Sequence, residues 1–245
     1  MGSQEVMRIL VITGYYAPDG GPAAPLFTML CEGLAKRGHQ VTALTAVPHY
    51  PTGKIPAAFN LTEKLLQVDP FDFMTNFAQT LLYLYAGQFD QFLQETNKVI
   101  KIYPEIPYVN LMHTLALAYN KRNEEAFHLI EDMEKKDPDN AIVKIGCLFK
   151  YSLKGDRDGI FKTLTPDLKR TCLRDPTFCH HLAGIFSLLN EKDEAIKWIE
   201  NALNAGFLNY PLLSELDPFL DNIRGEERFK KLMERVKYEW ENFEV

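Results

Sequence analysis

A fixed spacing of 34 residues is the feature that most restricts how this 245-residue chain folds. The spacing separates three proline-containing dipeptides, Asp69-Pro70, Tyr103-Pro104 and Asp137-Pro138. A period of this length is typical of helix–turn–helix repeats that stack side by side. Because one helix pair cannot bury its apolar stripe alone, several repeats must pack into a continuous core. The spacing therefore predicts a mainly α-helical chain made of consecutive helix pairs.

The period also predicts where each repeat begins and what it contains. Extending the frame, with one residue inserted before the last repeat, gives four starts: Phe73, Pro107, Ala141 and Pro176. The eighteenth residue of every repeat is then acidic: Asp90, Glu124, Asp158 and Asp193. The turn between the two helices holds residue types that tolerate positive φ: Gly87, Gly155 and Asn190. Pro166 is expected to interrupt the second helix of the third repeat.

These residues resemble the tetratricopeptide repeat family, with residues 191–197 (EKDEAIK) as the best local match. The resemblance implies a tetratricopeptide-type α-solenoid over residues 57–212, in which a partial repeat precedes the four full ones. Residues 213–232 are similar to a segment that often closes bacterial repeat arrays. Residues 213–245 are therefore expected to form an end segment followed by a capping helix with a polar outer face.

In that family, one face of each first helix lines a groove that binds a protein partner. The corresponding positions here are Met74, Phe77, Leu81, Leu84, Tyr85, Tyr108, Leu111, Leu115, Tyr119, Ile142, Ile145, Phe149, His180 and Leu188. This set is apolar and aromatic, without the Lys/Arg/Asn set that grips a terminal carboxylate, so a hydrophobic peptide or helix is the expected ligand. The alternative is that these residues form inner core, or that the last helix fills the groove.

The first 56 residues differ from the rest in their pattern. Residues 8–14 form a continuous apolar run typical of a buried parallel strand. An amphipathic helix over residues 26–36 and a β-branched run over 41–45 follow it. The pattern predicts one small β-α-β unit ahead of the array.

This β-α-β segment resembles the beginning of family-4 glycosyltransferases over residues 8–55, including the sequence PHYPTGK at residues 48–54. The resemblance implies a loop near donor phosphates that contains Gly20, Gly21, His49 and Lys54. Backbone N–H groups beside a helix N-terminus suit a phosphate. The donor-nucleotide domain of that family has no counterpart in this sequence. A glycosyl transfer by this chain alone is therefore not expected, because such a reaction needs both halves of a cleft.

Charge and cysteine content narrow the partners further. A net charge of −6 and a pI near 5.6 disfavour nucleic acid as a ligand, because an acidic surface repels phosphates. The four cysteines and six histidines lack metal-ligand spacing, so neither a metal nor another cofactor is expected. The N-terminus does not resemble a signal peptide, and no run is long enough for membrane insertion. A cytoplasmic protein with reduced thiols is predicted.

The sequence thus predicts a non-catalytic scaffold that binds a protein or peptide in the groove of its repeat array. The alternative, carried by the N-terminal resemblance, is an inactive fragment of a sugar-nucleotide-dependent glycosyltransferase of the polysaccharide-biosynthesis type.

Overall fold

The computed structural model describes residues 6–13, 24–45 and 55–242. These residues form two compact bodies. The N-terminal body contains the described residues up to Asn76, and the repeat body contains residues 77–242. The division between them falls inside the helix Phe73–Tyr85, which we call α3. The predicted domain boundary near residue 56 stays a prediction.

The N-terminal body begins with a β-α-β unit. Strands β1 (Arg8–Thr13) and β2 (Gln40–Thr45) pair in parallel, with Arg8 opposite Gln40 and Thr13 opposite Thr45. Helix α1 (Ala24–Lys36) connects them and packs on β2. It is followed by Gly38, whose φ of 89° lets the chain turn directly into the second strand. Helix α2 (Ile55–Val68) follows in the same body.

The array consists of helix pairs, and all of it except residues 73–76 belongs to the repeat body. Their bounds are α3 (Phe73–Tyr85), α4 (Phe89–Ile102), α5 (Pro107–Tyr119), α6 (Asn123–Lys136), α7 (Ala141–Lys154), α8 (Arg157–Thr163), α9 (Pro166–Cys172), α10 (Pro176–Leu188) and α11 (Lys192–Asn204). The first helix of each pair begins at Phe73, Pro107, Ala141 or Pro176, the residues that the 34-residue period gives as repeat starts.

Local chemistry explains these starts. Pro107 and Pro176 occupy the first turn, where the missing N–H costs no hydrogen bond. The Asn140 side chain accepts the N–H of Ile142 at 2.9 Å and so caps α7. Asp175 caps α10 by accepting the N–H of Thr177 at 2.7 Å.

The turns inside the pairs require positive φ. Gly87 and Gly155 have φ of 67° and 71°, and Asn190 has φ of 60°. Lys121 holds the same position in the second repeat, with φ of 60°. A lysine in this left-handed region lacks the freedom of glycine and carries a cost of about 1 kcal/mol.

The third repeat departs from the others, as the sequence predicts. Helix α8 ends at Thr163, and Pro166 starts the separate short helix α9. The Thr165 hydroxyl caps α9 by accepting the Leu168 N–H at 3.3 Å. The proline has no N–H to continue the hydrogen bonding of α8, which explains the break.

The chain beyond α11 runs irregularly before the last helix. A π-helical turn (Leu212–Leu216) and a 3-10 turn (Pro218–Leu220) lead to α12 (Glu227–Glu241). Helix α12 packs on α11, where Arg228 pairs with Asp193 at 3.1 Å and with Glu200 at 3.2 Å. The largest fully buried side chains of the repeat body include Trp198, Tyr85, Phe92, Phe149, Phe186, Phe207 and Phe229. Within the described ranges, no helix has the length and apolar character needed to cross a bilayer.

Candidate protein-binding groove and its occupant

The predicted groove positions of the repeat body lie mainly in its interior. Seven of them are at most 2% exposed: Leu84, Tyr85, Leu111, Leu115, Ile145, Phe149 and His180. Phe77 and Tyr119 are also buried, and four are half-buried: Leu81, Tyr108, Ile142 and Leu188. Met74 belongs to the N-terminal body and is 47% exposed. The groove face is defined here as these positions of the repeat body.

Residues 207–224, which we call the C-terminal segment, lie against the groove face and contact four of its residues: Tyr85, Tyr119, Phe149 and His180. That these positions bind a partner stays a prediction. The sequence left two alternatives open, an inner core and a groove filled by the last helix. The structure agrees better with the second, because a later part of the same chain lies in the groove. The filler is the irregular segment ahead of α12, however, and not the last helix itself.

Phe219 makes the main aromatic contact of the C-terminal segment. Its ring stacks on Tyr119 at a centroid distance of 4.2 Å and lies 6.0 Å from the ring of Phe149. On the other side it approaches α10 closely, where a Cβ added to Gly184 would stand 3.2 Å from the Phe219 Cβ. That distance is tight for a side-chain contact, so the missing side chain of Gly184 makes room for Phe219.

Asp217 makes the main polar contact. Its Oδ2 lies 2.7 Å from Nε2 of His180, and both side chains are 1% exposed. Its Oδ1 accepts the Phe219 N–H at 2.9 Å, which fixes the 3-10 turn. The pKa of Tyr119 is raised well above its ordinary value, mainly by burial. The charge of Asp217 and a hydrogen bond to Asp217 raise the pKa of Tyr119 further. The phenol therefore stays protonated and able to donate to the carboxylate.

Arg224 and His181 border the pair formed by His180 and Asp217. Arg224 donates from Nη2 to the Asp217 carbonyl oxygen at 2.6 Å, and burial lowers the pKa of its guanidinium. His181 is fully buried beside His180. Its pKa lies well below the ordinary value, mainly because of burial and secondly because of electrostatic repulsion by His180. His181 is therefore neutral, and it adds no charge to the site.

A second anchor lies at the start of the C-terminal segment. The Phe207 ring stacks on His180 at 4.9 Å and meets the edge of Tyr85 at 5.7 Å. Asn209 donates to the Tyr85 carbonyl oxygen at 2.8 Å, and its own side-chain oxygen accepts the Leu212 N–H at 3.2 Å. The segment is thus held at both ends of its irregular stretch.

The sequence pattern missed the residues of the segment that do the covering. Phe207, Asn209, Asp217, Phe219 and Arg224 were expected to belong to the array's end and its cap. The acid–proline pair at residues 217–218 was the available signal, because aspartate followed by proline favours a turn at that point. Nothing in the period indicates that such a turn reaches back 37 residues to His180.

The chemistry of the described residues offers no reactive centre at this face. The 1% exposure of His180 and Asp217 keeps water and substrates away from that pair. Burial raises the pKa of the Cys147 thiol to about 11 and those of Cys172 and Cys179 to about 12, so these thiols are unreactive at neutral pH. Within residues 6–13, 24–45 and 55–242, no cluster of metal-ligating side chains occurs.

The candidate phosphate loop cannot be placed in the same way. Gly20, Gly21, His49 and Lys54 lie outside the described residues. The β-α-β unit that would carry them is present as predicted, but its resemblance to glycosyltransferases gains no support from known proteins.

Comparison with known proteins identifies the fold of the array. No protein-family model matches the chain, and no curated protein matches it. A crystal structure of a thermophilic TPR protein from Thermus thermophilus is similar over 77% of this chain and 93% of that one, with a TM-score of 0.50 and 18% sequence identity. This likeness concerns the fold alone. The prediction of a mainly α, tetratricopeptide-type solenoid with a small N-terminal β-α-β unit is thereby confirmed.

Proposed function

We propose that this chain is a non-catalytic scaffold whose groove face binds a peptide or helix of a protein partner. One observation carries the proposal. The groove face already holds an irregular stretch of chain, residues 207–224, through ring stacking, a buried carboxylate and side chain–backbone hydrogen bonds. A surface that holds one irregular segment in this manner has the chemistry needed to hold another.

The energetics decide how a partner reaches this face. Removing the entire C-terminal segment would expose six buried apolar side chains: Phe207, Leu212, Leu213, Phe219, Leu220 and Ile223. At about 1.5–3 kcal/mol each, this costs roughly 9 kcal/mol or more. A micromolar ligand supplies about 8 kcal/mol, so complete displacement is out of reach for it. Binding must therefore use the half-buried positions or replace only part of the segment.

Leu81 gives a direct test of this proposal, with Ile102 as the matched control. Leu81 is a half-buried groove position on α3, whereas Ile102 is 41% exposed at the end of the second helix of the same repeat. We expect Leu81→Lys to weaken binding of a captured partner at least tenfold, about 1.4 kcal/mol, and Ile102→Lys to leave it unchanged. Isothermal titration of both folded variants measures this difference.

Equal losses for the two variants would place the partner elsewhere and defeat the proposal. A sugar nucleotide provides the contrasting experiment. A site for it in the folded chain would raise the melting temperature as the ligand concentration rises. If the chain is a scaffold, we expect no change in melting temperature when a sugar nucleotide is added. A dose-dependent increase in melting temperature would favour the glycosyltransferase remnant instead.

A further inference from the structure

The strongest unexplained feature of the groove face is a buried polar pair, His180 with Asp217. A cap that only closes an array needs apolar contacts, and a buried polar pair is often no more stabilising than a well-packed apolar pair. The best attested use of such a pair is to specify one arrangement over others. The pair formed by His180 and Asp217 therefore indicates recognition of a particular sequence beyond simple closure.

We propose that the groove face is a recognition site for an acid–proline–aromatic–aliphatic tetrapeptide, and that residues 217–220 (DPFL) occupy it as an autoinhibitory internal copy. This inference rests on the proposed function, because it names the partner chemistry of the same face. The partner is a protein that presents this order of side chains in an exposed turn.

Each of the first three positions of the tetrapeptide has a stated role. The carboxylate meets His180 at 2.7 Å and also caps its own turn through the Phe219 N–H. The exposed proline fixes φ at the first position of the 3-10 turn, which lowers the entropy lost on binding. The aromatic ring stacks on Tyr119. A short peptide with this order would thus carry its own turn into the site.

The array supplies its half of the site from three repeats. Tyr119 comes from α5, Phe149 from α7, and His180 and Gly184 from α10. The site exists only because these repeats stack, so a folded array is needed to form it and no single helix can. This composition is expected of a ligand site on the face that the first helices share.

The internal copy controls access. Residues 207–209 and helix α12 anchor the segment on either side, so the turn at residues 217–220 can open locally while its flanks stay attached. A free peptide binds only the open fraction, and its apparent dissociation constant is the intrinsic one divided by that fraction. Wild-type protein should therefore bind the peptide weakly, and any change that loosens the internal copy should strengthen binding.

The experiment measures binding of a fluorescent peptide with the sequence LDPFLDN, residues 216–222, to the full chain by anisotropy. We expect Phe219→Ala to bind this peptide at least tenfold more tightly than wild type. A peptide with Asn in place of the acid should bind the variant at least tenfold more weakly, as should a scrambled peptide. Adding His180→Ala to the variant should abolish binding of the original peptide.

Phe219→Leu keeps the inference testable if the alanine variant fails to fold. It removes the ring stacking and retains most of the buried volume, so an intermediate gain in peptide affinity is expected. A random peptide library selected on the same folded variant separates the two proposals. If the library yields binders of other chemistry while LDPFLDN does not bind, the inference is overturned and the scaffold function stands.

If neither LDPFLDN nor any library peptide binds, the scaffold function fails as well. Equal binding of the original, Asn-substituted and scrambled peptides would also overturn the inference. Concentration-dependent dimers of the wild-type chain that exchange residues 207–242 would assign the site to a second copy, which again contradicts a partner protein.

Discussion

Replacement of Asp217 by alanine tests the buried contact at the centre of the groove face. The substitution removes the partner of His180, the acceptor of the Phe219 N–H and the neighbour of the Tyr119 hydroxyl. Breaking a buried pair by deleting one partner costs about 3–5 kcal/mol, because the remaining polar groups stay buried without compensation. We expect the Asp217→Ala variant to lose a free energy of unfolding in this range.

Asp221 is the matched control for this substitution. It lies four residues further along the same segment, its side chain is 62% exposed, and it pairs with the half-buried Arg224. A pair with an exposed carboxylate contributes about 0–1 kcal/mol, so Asp221→Ala should have a small effect. The same residue type is thus removed from a buried and from an exposed position of one segment.

Urea unfolding followed by tryptophan fluorescence is the appropriate assay. The only two tryptophans, Trp198 and Trp240, both lie in the repeat body, so the signal does not mix the two compact bodies. With a slope of about 2 kcal/mol per molar urea, the midpoint for Asp217→Ala should fall by roughly 1.5–2.5 M. If Asp217→Ala and Asp221→Ala shift the midpoint equally, the buried pair does not hold the segment and this reasoning is refuted.

Three further predictions concern a glycine, a turn and pH. In urea unfolding, Gly184→Ala should destabilise the repeat body by about 1–3 kcal/mol, because its Cβ would lie 3.2 Å from the Phe219 Cβ. Gly146→Ala is the control: the nearest neighbour of its Cβ lies at 3.6 Å, so this substitution should be neutral or stabilising. Lys121→Gly should raise stability by about 1 kcal/mol in the same assay by relieving the positive φ, and an unchanged or lower midpoint would contradict this. Burial lowers the pKa of His113 to about 4 from an ordinary value of 6.5, so the unfolded chain binds the extra proton between these pH values. Stability should therefore fall as pH drops from about 6.5 to 4, and a His113→Gln variant should show a smaller fall in a pH series of thermal melts.

The fold could be predicted because its information is local and periodic. Pro107 and Pro176 mark helix starts, Gly87 and Gly155 supply positive φ, and Pro166 breaks a helix, each through its own backbone chemistry. The 34-residue period then places these local signals in a common frame. Agreement between the two levels explains why the repeat starts coincide with observed helix starts.

The state of the groove face could not be predicted in the same way. Groove positions of the family are assigned from the geometry of a helix pair, which does not say what lies above them. The covering contacts join residues far apart in sequence, such as His180 to Asp217 and Tyr85 to Asn209. Long-range pairs of this kind follow no period. The sequence pattern therefore located the right surface and left open whether it was occupied.

The measurement that tests the central claim most directly is a nuclear Overhauser effect between the Phe219 and Tyr119 rings. The claim is that the chain's own C-terminal segment occupies the face with which its repeats would bind a partner. With selectively labelled phenylalanine and tyrosine, stacking at 4.2 Å predicts a strong cross-peak in the wild-type chain and its loss in Phe219→Ala. A wild-type spectrum without this cross-peak, in which the Phe219 ring has the shifts of a solvent-exposed phenylalanine, would contradict the account.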